Sequence, residues 1–174
     1  YVISGDTLTQ PYYRNISIDS TSDIFKYAII SLHGDGRNAA EHFGVINQAA
    51  IDAGVEDSTI IFAPMYLHQE DIDQYNLGDN VLYWSSTDWN AGDLSRSTQT
   101  NPRPFRISSF STMDTIYHRL ITNNPNLEKI VLTGHSAGSQ MVVRYAAGGG
   151  PQTLTQGEEI NVVFSDALNM ADNH

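Results

Sequence analysis

Lys129-Ile130-Val131-Leu132-Thr133-Gly134-His135-Ser136-Ala137-Gly138-Ser139-Gln140 is the stretch on which the reading of this chain turns. An apolar, β-branched run leads in and predicts a short buried strand. The start of a helix leads out. Between them Gly134-His135-Ser136-Ala137-Gly138 fits the G-x-S-x-G pattern, in which a serine sits on a sharp strand-to-helix turn. Such a turn holds the serine in a strained backbone conformation, at a cost on the order of 1–3 kcal/mol. The two flanking positions must then be nearly free of side chain, and both are glycine.

A serine hydroxyl is a poor nucleophile near neutral pH. It needs a base for its proton and hydrogen-bond donors for the oxyanion that develops on attack. The turn supplies Ser136 and one donor, the backbone N–H of Ala137 at the start of the following helix. A second donor is expected from the loop after an earlier strand. His33-Gly34-Asp35-Gly36 occupies that place, with the backbone N–H of Asp35 as the candidate. Losing one such donor typically costs about 10²–10³ in rate, so two matching loops weigh far more than one.

Outward from this stretch, residues 11–19 partly alternate and predict an edge strand. Residues 25–32 predict a buried strand that ends abruptly in His33-Gly34. Phe43, Ile46, Ala49, Ala50 and Ala53 recur at helical spacing, and Gly54 is placed to stop that helix. Residues 58–64 predict the next buried strand, ended by Pro64. Residues 65–104 show no clear period and carry Tyr66, Tyr75, Tyr83, Trp84 and Trp89 among Asp, Asn, Gly and Ser. So long an irregular segment is either an ordered excursion near a site or a plain surface loop with its aromatics tucked into the core, and the sequence favours the two about equally. On the first reading it lines or covers the pocket, with Trp84 and Trp89 shaping substrate preference; on the second the two tryptophans belong to the core. Ser108-Ser109 can cap a helix over 110–123 with the stripe Met113, Ile116, Tyr117, Leu120 and Ile121. The helix after Ser136 should run through Ala147 to a Gly148-Gly149-Gly150-Pro151 break, and residues 160–165 predict a last strand. The order is βαβ, a long excursion, then αβαβ. It predicts an α/β three-layer sandwich: a mostly parallel central sheet with helices on both faces. No repeat and no second domain is visible, so residues 1–174 read as a single domain.

Composition narrows the function. The chain has 174 residues, a net charge of −11 and only two lysines. Nucleic acid and anionic membrane both ask for a positive face, so neither is an expected partner. No apolar run approaches the ~20 residues that span a bilayer, which fits a soluble globular protein. Residues 38–95 hold ten Asp or Glu and no Lys or Arg. Glu70-Asp71-Ile72-Asp73 lacks EF-hand spacing and reads as a solvated acidic surface, so no metal is expected. Cysteine is absent, which removes disulfides, thiolate ligands and a cysteine nucleophile together. Asn15-Ile16-Ser17 is a glycosylation sequon, meaningful only in a secreted eukaryotic chain. Tyr1-Val2-Ile3-Ser4-Gly5 has neither an initiator Met nor a basic leader region, so numbering is expected to begin at a processed or trimmed end.

His-Gly after an early strand, a helix, another strand and G-H-S-A-G at a later strand–helix junction together resemble the α/β-hydrolase superfamily, its serine esterases and lipases in particular. The resemblance spans residues 25–164. It implies acyl transfer through a covalent ester on Ser136, a small-molecule ester substrate, water as acceptor and no cofactor. It also implies an acid and then a histidine after the serine, each on a loop following a later strand. After Ser136 come Glu158, Glu159, Asp166, Asp172 and His174. Asp166 follows a predicted strand, but His174 lies only eight residues beyond it, with no strand between. The chain is therefore expected to be the N-terminal part of a longer fold. Of the upstream histidines, His33 is expected to shape the oxyanion loop, His42 and His118 to be ordinary helix residues, and His68 to lie nearest the pocket.

Two rival readings remain. Gly34-Asp35-Gly36-Arg37-Asn38-Ala39 also fits the G-x-G-x-x-A dinucleotide fingerprint. That fingerprint wants an acid at the end of the next strand, whereas Glu56 and Asp57 precede theirs. The other is a catalytically inactive binding protein that keeps the fold without the triad.

Overall fold

The computed structural model describes residues 1–148 and, as backbone, residues 161–167. A hairpin of β1 (Val2–Ile3) and β2 (Asp6–Thr7) opens the chain. It leads to β3 (Tyr12–Arg14), β4 (Tyr27–Leu32), α1 (Ala39–Asp52) and β5 (Thr59–Pro64). After the excursion, which contains α2 (Gln69–Gln74) and a 3-10 turn at Trp89–Ala91, come α3 (Ser109–Asn123) and β6 (Lys129–His135). The last elements are α4 (Ala137–Gly148) and β7 (Asn161–Ala167).

Among the described residues β3 to β7 form one sheet in the order β3-β5-β4-β6-β7. Only β3 is antiparallel. The mixed α/β class expected from the sequence is therefore observed. Alternation along the strands sends Ala28, Ile30, Leu32, Ile60, Phe62, Ile130 and Leu132 to one face. There they pack with Met113, Ile116, Tyr117 and Leu120 of α3 and with Met141, Val142 and Tyr145 of α4. Helix α1 packs on β3, β4 and β5, with Phe43 against Tyr13. Ile29 and Ile61 point to that opposite face.

Local chemistry explains the boundaries. Helix α1 ends in a Schellman motif: Gly54 N–H donates to Ile51 O at 2.9 Å and Val55 N–H to Ala50 O at 3.0 Å. Gly54 sits at φ 65°, which glycine adopts without strain. Ser108 caps α3, its Oγ accepting from Phe110 N–H at 3.1 Å. The expected edge strand over 11–19 is shorter, because at Asn15 a side chain takes over the pairing. Asn15 Nδ2 donates to Thr59 O and its Oδ1 accepts from Ile61 N–H, both at 2.8 Å. The carboxamide of the sequon thus works as an extra rung of the sheet.

The sheet positions the site. From β4 the chain passes through α1 to β5 on one side; from β6 it passes through α4 to β7 on the other. Strand order reverses between β4 and β6, and crevices at the carboxyl ends of such strands are the usual ligand sites of α/β sheets. The last paired residues of β4 and β6 are Leu32 and Gly134. The loops that begin at His33 and Ser136 therefore emerge side by side.

Candidate active site

Ser136 is the single residue between β6 and α4, and its φ is 53°. That left-handed conformation is uncommon for a residue with a side chain. The flanking glycines make it fit. A Cβ on Gly134 would lie 2.4 Å from the carbonyl carbon of Gly138, and one on Gly138 would lie 2.6 Å from both Leu32 O and His33 O. The first contact folds the turn onto itself; the second presses the start of α4 against the end of β4. Ser139 Oγ donates to Gly134 O at 2.8 Å and ties the turn across its base. The N–H groups of the first helical residues, Ala137 foremost, have no acceptor within the helix.

The β4 loop lies against this turn. A Cβ on Gly34 would stand 3.3 Å from Ser136 Cβ, so a side chain at residue 34 would crowd the serine. His33 fixes the loop from beneath. It is fully buried, its Nε2 accepts from Tyr66 N–H at 2.9 Å, and its Nδ1 faces Gly34 O at 2.6 Å. Those partners assign the proton to Nδ1, which donates to Gly34 O. Burial lowers the His33 pKa to about 4, so the ring is neutral near pH 7. With both ring nitrogens engaged, His33 is a strut of the loop and not a free base. The Gly34–Asp35 peptide is trans. Anchoring its carbonyl on His33 turns the Asp35 N–H the opposite way.

The remaining candidates separate. His42 and the exposed His135 face one another with ring centroids 5.5 Å apart, and burial followed by His135 lowers the His42 pKa. His68 lies beside the loop: its Nδ1 accepts from Arg37 Nη1 at 3.1 Å and its Nε2 is 3.9 Å from Asp35 Oδ1. Burial, then Arg37, lowers its pKa. Asp166 lies within β7, paired with Gly134, and so does not follow the strand as expected. Glu158, Glu159, Asp172 and His174 lie outside the described residues. Glu56 and Asp57 sit in a 3-10 turn before β5, so the acid of the dinucleotide reading has no counterpart at the strand's end.

One open alternative is decided and one expectation is corrected. Trp84 and Trp89 have no accessible surface and belong to the main core. Tyr66 stacks on Trp89 at 4.9 Å and meets Trp84 edge-on at 5.2 Å. Their job is packing, though Trp89 also backs the His33 ring at 5.0 Å. The acidic run at 70–73 is likewise no plain solvated surface. Asp71 is buried, and its carboxylate caps α2 by accepting from His68 N–H at 2.7 Å.

The excursion is ordered by polar links as well as aromatics. Arg144 of α4 donates to Asn90 O at 3.0 Å and to Asn90 Oδ1 at 2.8 Å. Arg103 is buried over the Tyr83 ring and donates to Val81 O and Pro102 O. A polar groove of about 470 Å³ runs along it, lined by His68, Gln69, Glu70, Asp73, Ser86 and Arg96 among others. Among the described residues no cluster of His, Asp and Glu is arranged to hold a metal, and no helix is long and apolar enough to cross a membrane.

No protein-family model and no curated protein matches the chain. Among solved structures it is similar to poly(aspartic acid) hydrolase-1 from Sphingomonas sp. KT-1, at 20% sequence identity and a TM-score of 0.44. The match covers 80% of this chain and 51% of that one, so the chain spans about half that protein's length. A likeness at this level leaves the reading of the site to its geometry.

Proposed function

We propose that the chain is a serine hydrolase of the α/β-hydrolase type, a single domain that cleaves a carboxylic ester through a covalent acyl-enzyme on Ser136. The observation that carries the reading is the apposition of two turns. Ser136 is held at φ 53° between two close-packed glycines, and the His33–Gly34 loop is pressed against it. In this reading Ser136 Oγ attacks the ester carbonyl while a base takes its proton. The Asp35 and Ala137 N–H groups hold the oxyanion, and the alkoxide leaves with that proton. Water repeats the sequence to free the acid. The excursion, latched to α4 through Asn90, covers this end of the sheet. The substrate is a small-molecule ester; nucleic acid has no part in the reading, and neither has a cofactor.

The test is release of nitrophenol from a short-chain nitrophenyl ester by the full-length chain. Expected is turnover that disappears in Ser136→Ala. The alternative is a catalytically inactive binding protein. One observation favours it: among the described histidines, His33 has both ring nitrogens occupied and His68 gives Nδ1 to Arg37. A binding protein would release no nitrophenol, and Ser136→Ala would leave its ligand affinity intact.

A further inference from the structure

Arg37 closes the β4 loop, and its own conformation needs explaining. Its φ is 55°, a region that costs a side-chain-bearing residue about 1 kcal/mol or more. Its backbone N–H donates to Gly34 O at 3.1 Å, completing the turn that carries Asp35 and Gly36. Its side chain is about three-quarters buried, and the guanidinium reaches in three directions. Nη1 donates to Asp35 O at 3.0 Å and to His68 Nδ1 at 3.1 Å. Nε lies 2.7 Å from Asp71 Oδ2 in an ion pair off the hydrogen-bonding direction. Nη2 stands 3.7 Å from the exposed Glu70 Oε2. Asp71 is at the same time the cap of α2.

The consequence is geometric. Both peptide carbonyls flanking the Asp35 N–H and the Gly36 N–H are pinned: Gly34 O by His33 Nδ1–H and Arg37 N–H, Asp35 O by Arg37 Nη1. A planar trans peptide with its carbonyl fixed has its N–H fixed too. A guanidinium is rigid and planar, so it transmits the position of α2 to the loop in a way a flexible ammonium cannot.

We propose that Arg37 is a positioning residue of the Ser136 site, a clamp whose side chain fastens the Asp35–Gly36 peptide to the start of α2 and so, from its far side, holds in place the residue that bears the Asp35 N–H. The inference rests on the reading of Ser136 as nucleophile. Arg37 acts through the loop, so its loss raises the barrier to acylation and leaves substrate binding little changed.

Arg37→Gly in the full-length chain is the main test, because glycine accepts φ 55° without strain and the loop backbone is preserved. Removing an oxyanion donor outright costs about 10²–10³, so misaiming one should lower kcat on nitrophenyl acetate by roughly 10- to 100-fold. KM should stay within about threefold, as for an interaction felt only in the transition state. Arg37→Lys should remain slow. Guanidinium chloride below denaturing concentration should restore Arg37→Gly by roughly fivefold or more through the same charged hydrogen bonds, without accelerating the wild type. Asp71→Asn should show a smaller loss in the same direction. The clamp is overturned if Arg37→Gly works within twofold of an active wild type, if its loss lies in KM, or if guanidinium gives no rescue. A wild type that neither turns over nor reacts with a serine-directed phosphonate overturns the nucleophile reading itself, a distinct result.

Discussion

The turn at 134–138 and the excursion at 65–104 meet at the same end of the sheet and are built in opposite ways. The turn is held by backbone against backbone. Gly134 faces the Gly138 carbonyl and Gly138 faces Leu32 O and His33 O, with room for hydrogen only. The excursion is held by side chains: the Tyr66, Trp84 and Trp89 cluster, the buried Arg103, and the Arg144–Asn90 latch. Close backbone approach tolerates one residue type, so it leaves a signature in the sequence. Side-chain packing has many solutions and leaves almost none.

The largest expected effect probes the excursion. Trp89→Ala should cost about 3–5 kcal/mol of unfolding free energy, as for other buried aromatic truncations, measured by urea denaturation. A loss under ~1 kcal/mol, with substrate preference altered first, would return Trp89 to the pocket wall and erase the contrast.

Gly138→Ala probes the turn. A methyl group 2.6 Å from two backbone oxygens cannot be absorbed by a rotamer change. Overpacking of this kind typically costs about 1–3 kcal/mol, and reactivity at Ser136 should fall with it. Gly36→Ala serves as control: its Cβ would meet only Asn38 Oδ1, at 3.9 Å. Equal effects at the two glycines would mean that the turn is not defined by close approach.

The third effect lies where the two regions join, at His33. Its pKa falls from the ordinary 6.5 to about 4 because burial disfavours the charged ring. The folded state therefore binds the proton less readily than the unfolded chain. The stability His33 contributes is complete above pH 6.5 and is lost as pH falls from 6.5 to 4. The loss should total about 3 kcal/mol. His33→Asn, which can donate to Gly34 O without titrating, should flatten the stability profile in that window. Parallel profiles for variant and wild type would show that His33 is not held neutral.

Much of the fold was legible because its signals are local and repeated. Strands β4, β5 and β6 are β-branched runs, α3 carries a full apolar stripe behind Ser108, and Gly54 marks the end of α1. Helix α2 was not legible. Within Gln69–Gln74 only Ile72 supplies an apolar anchor, so no period appears. The helix stands on a capping box between His68 and Asp71, a spacing that could have been noticed. It also stands on Arg37, more than thirty residues earlier, which could not. For the same reason Asp71 read as surface. At the site, the turn at 134–138 and the His33–Gly34 loop could be read as a pair because each depends on glycine. The tautomer of His33 and the reach of Arg37 depend on which residues the fold brings near, and no local pattern encodes that.

The central claim is that Ser136 is a nucleophile. Its most direct test is exposure of the folded full-length chain to a fluorophosphonate, followed by peptide mapping of the adduct. The account predicts one adduct, on Ser136, absent from Ser136→Ala. A folded wild type that stays unlabelled, or an adduct that survives Ser136→Ala, would contradict it.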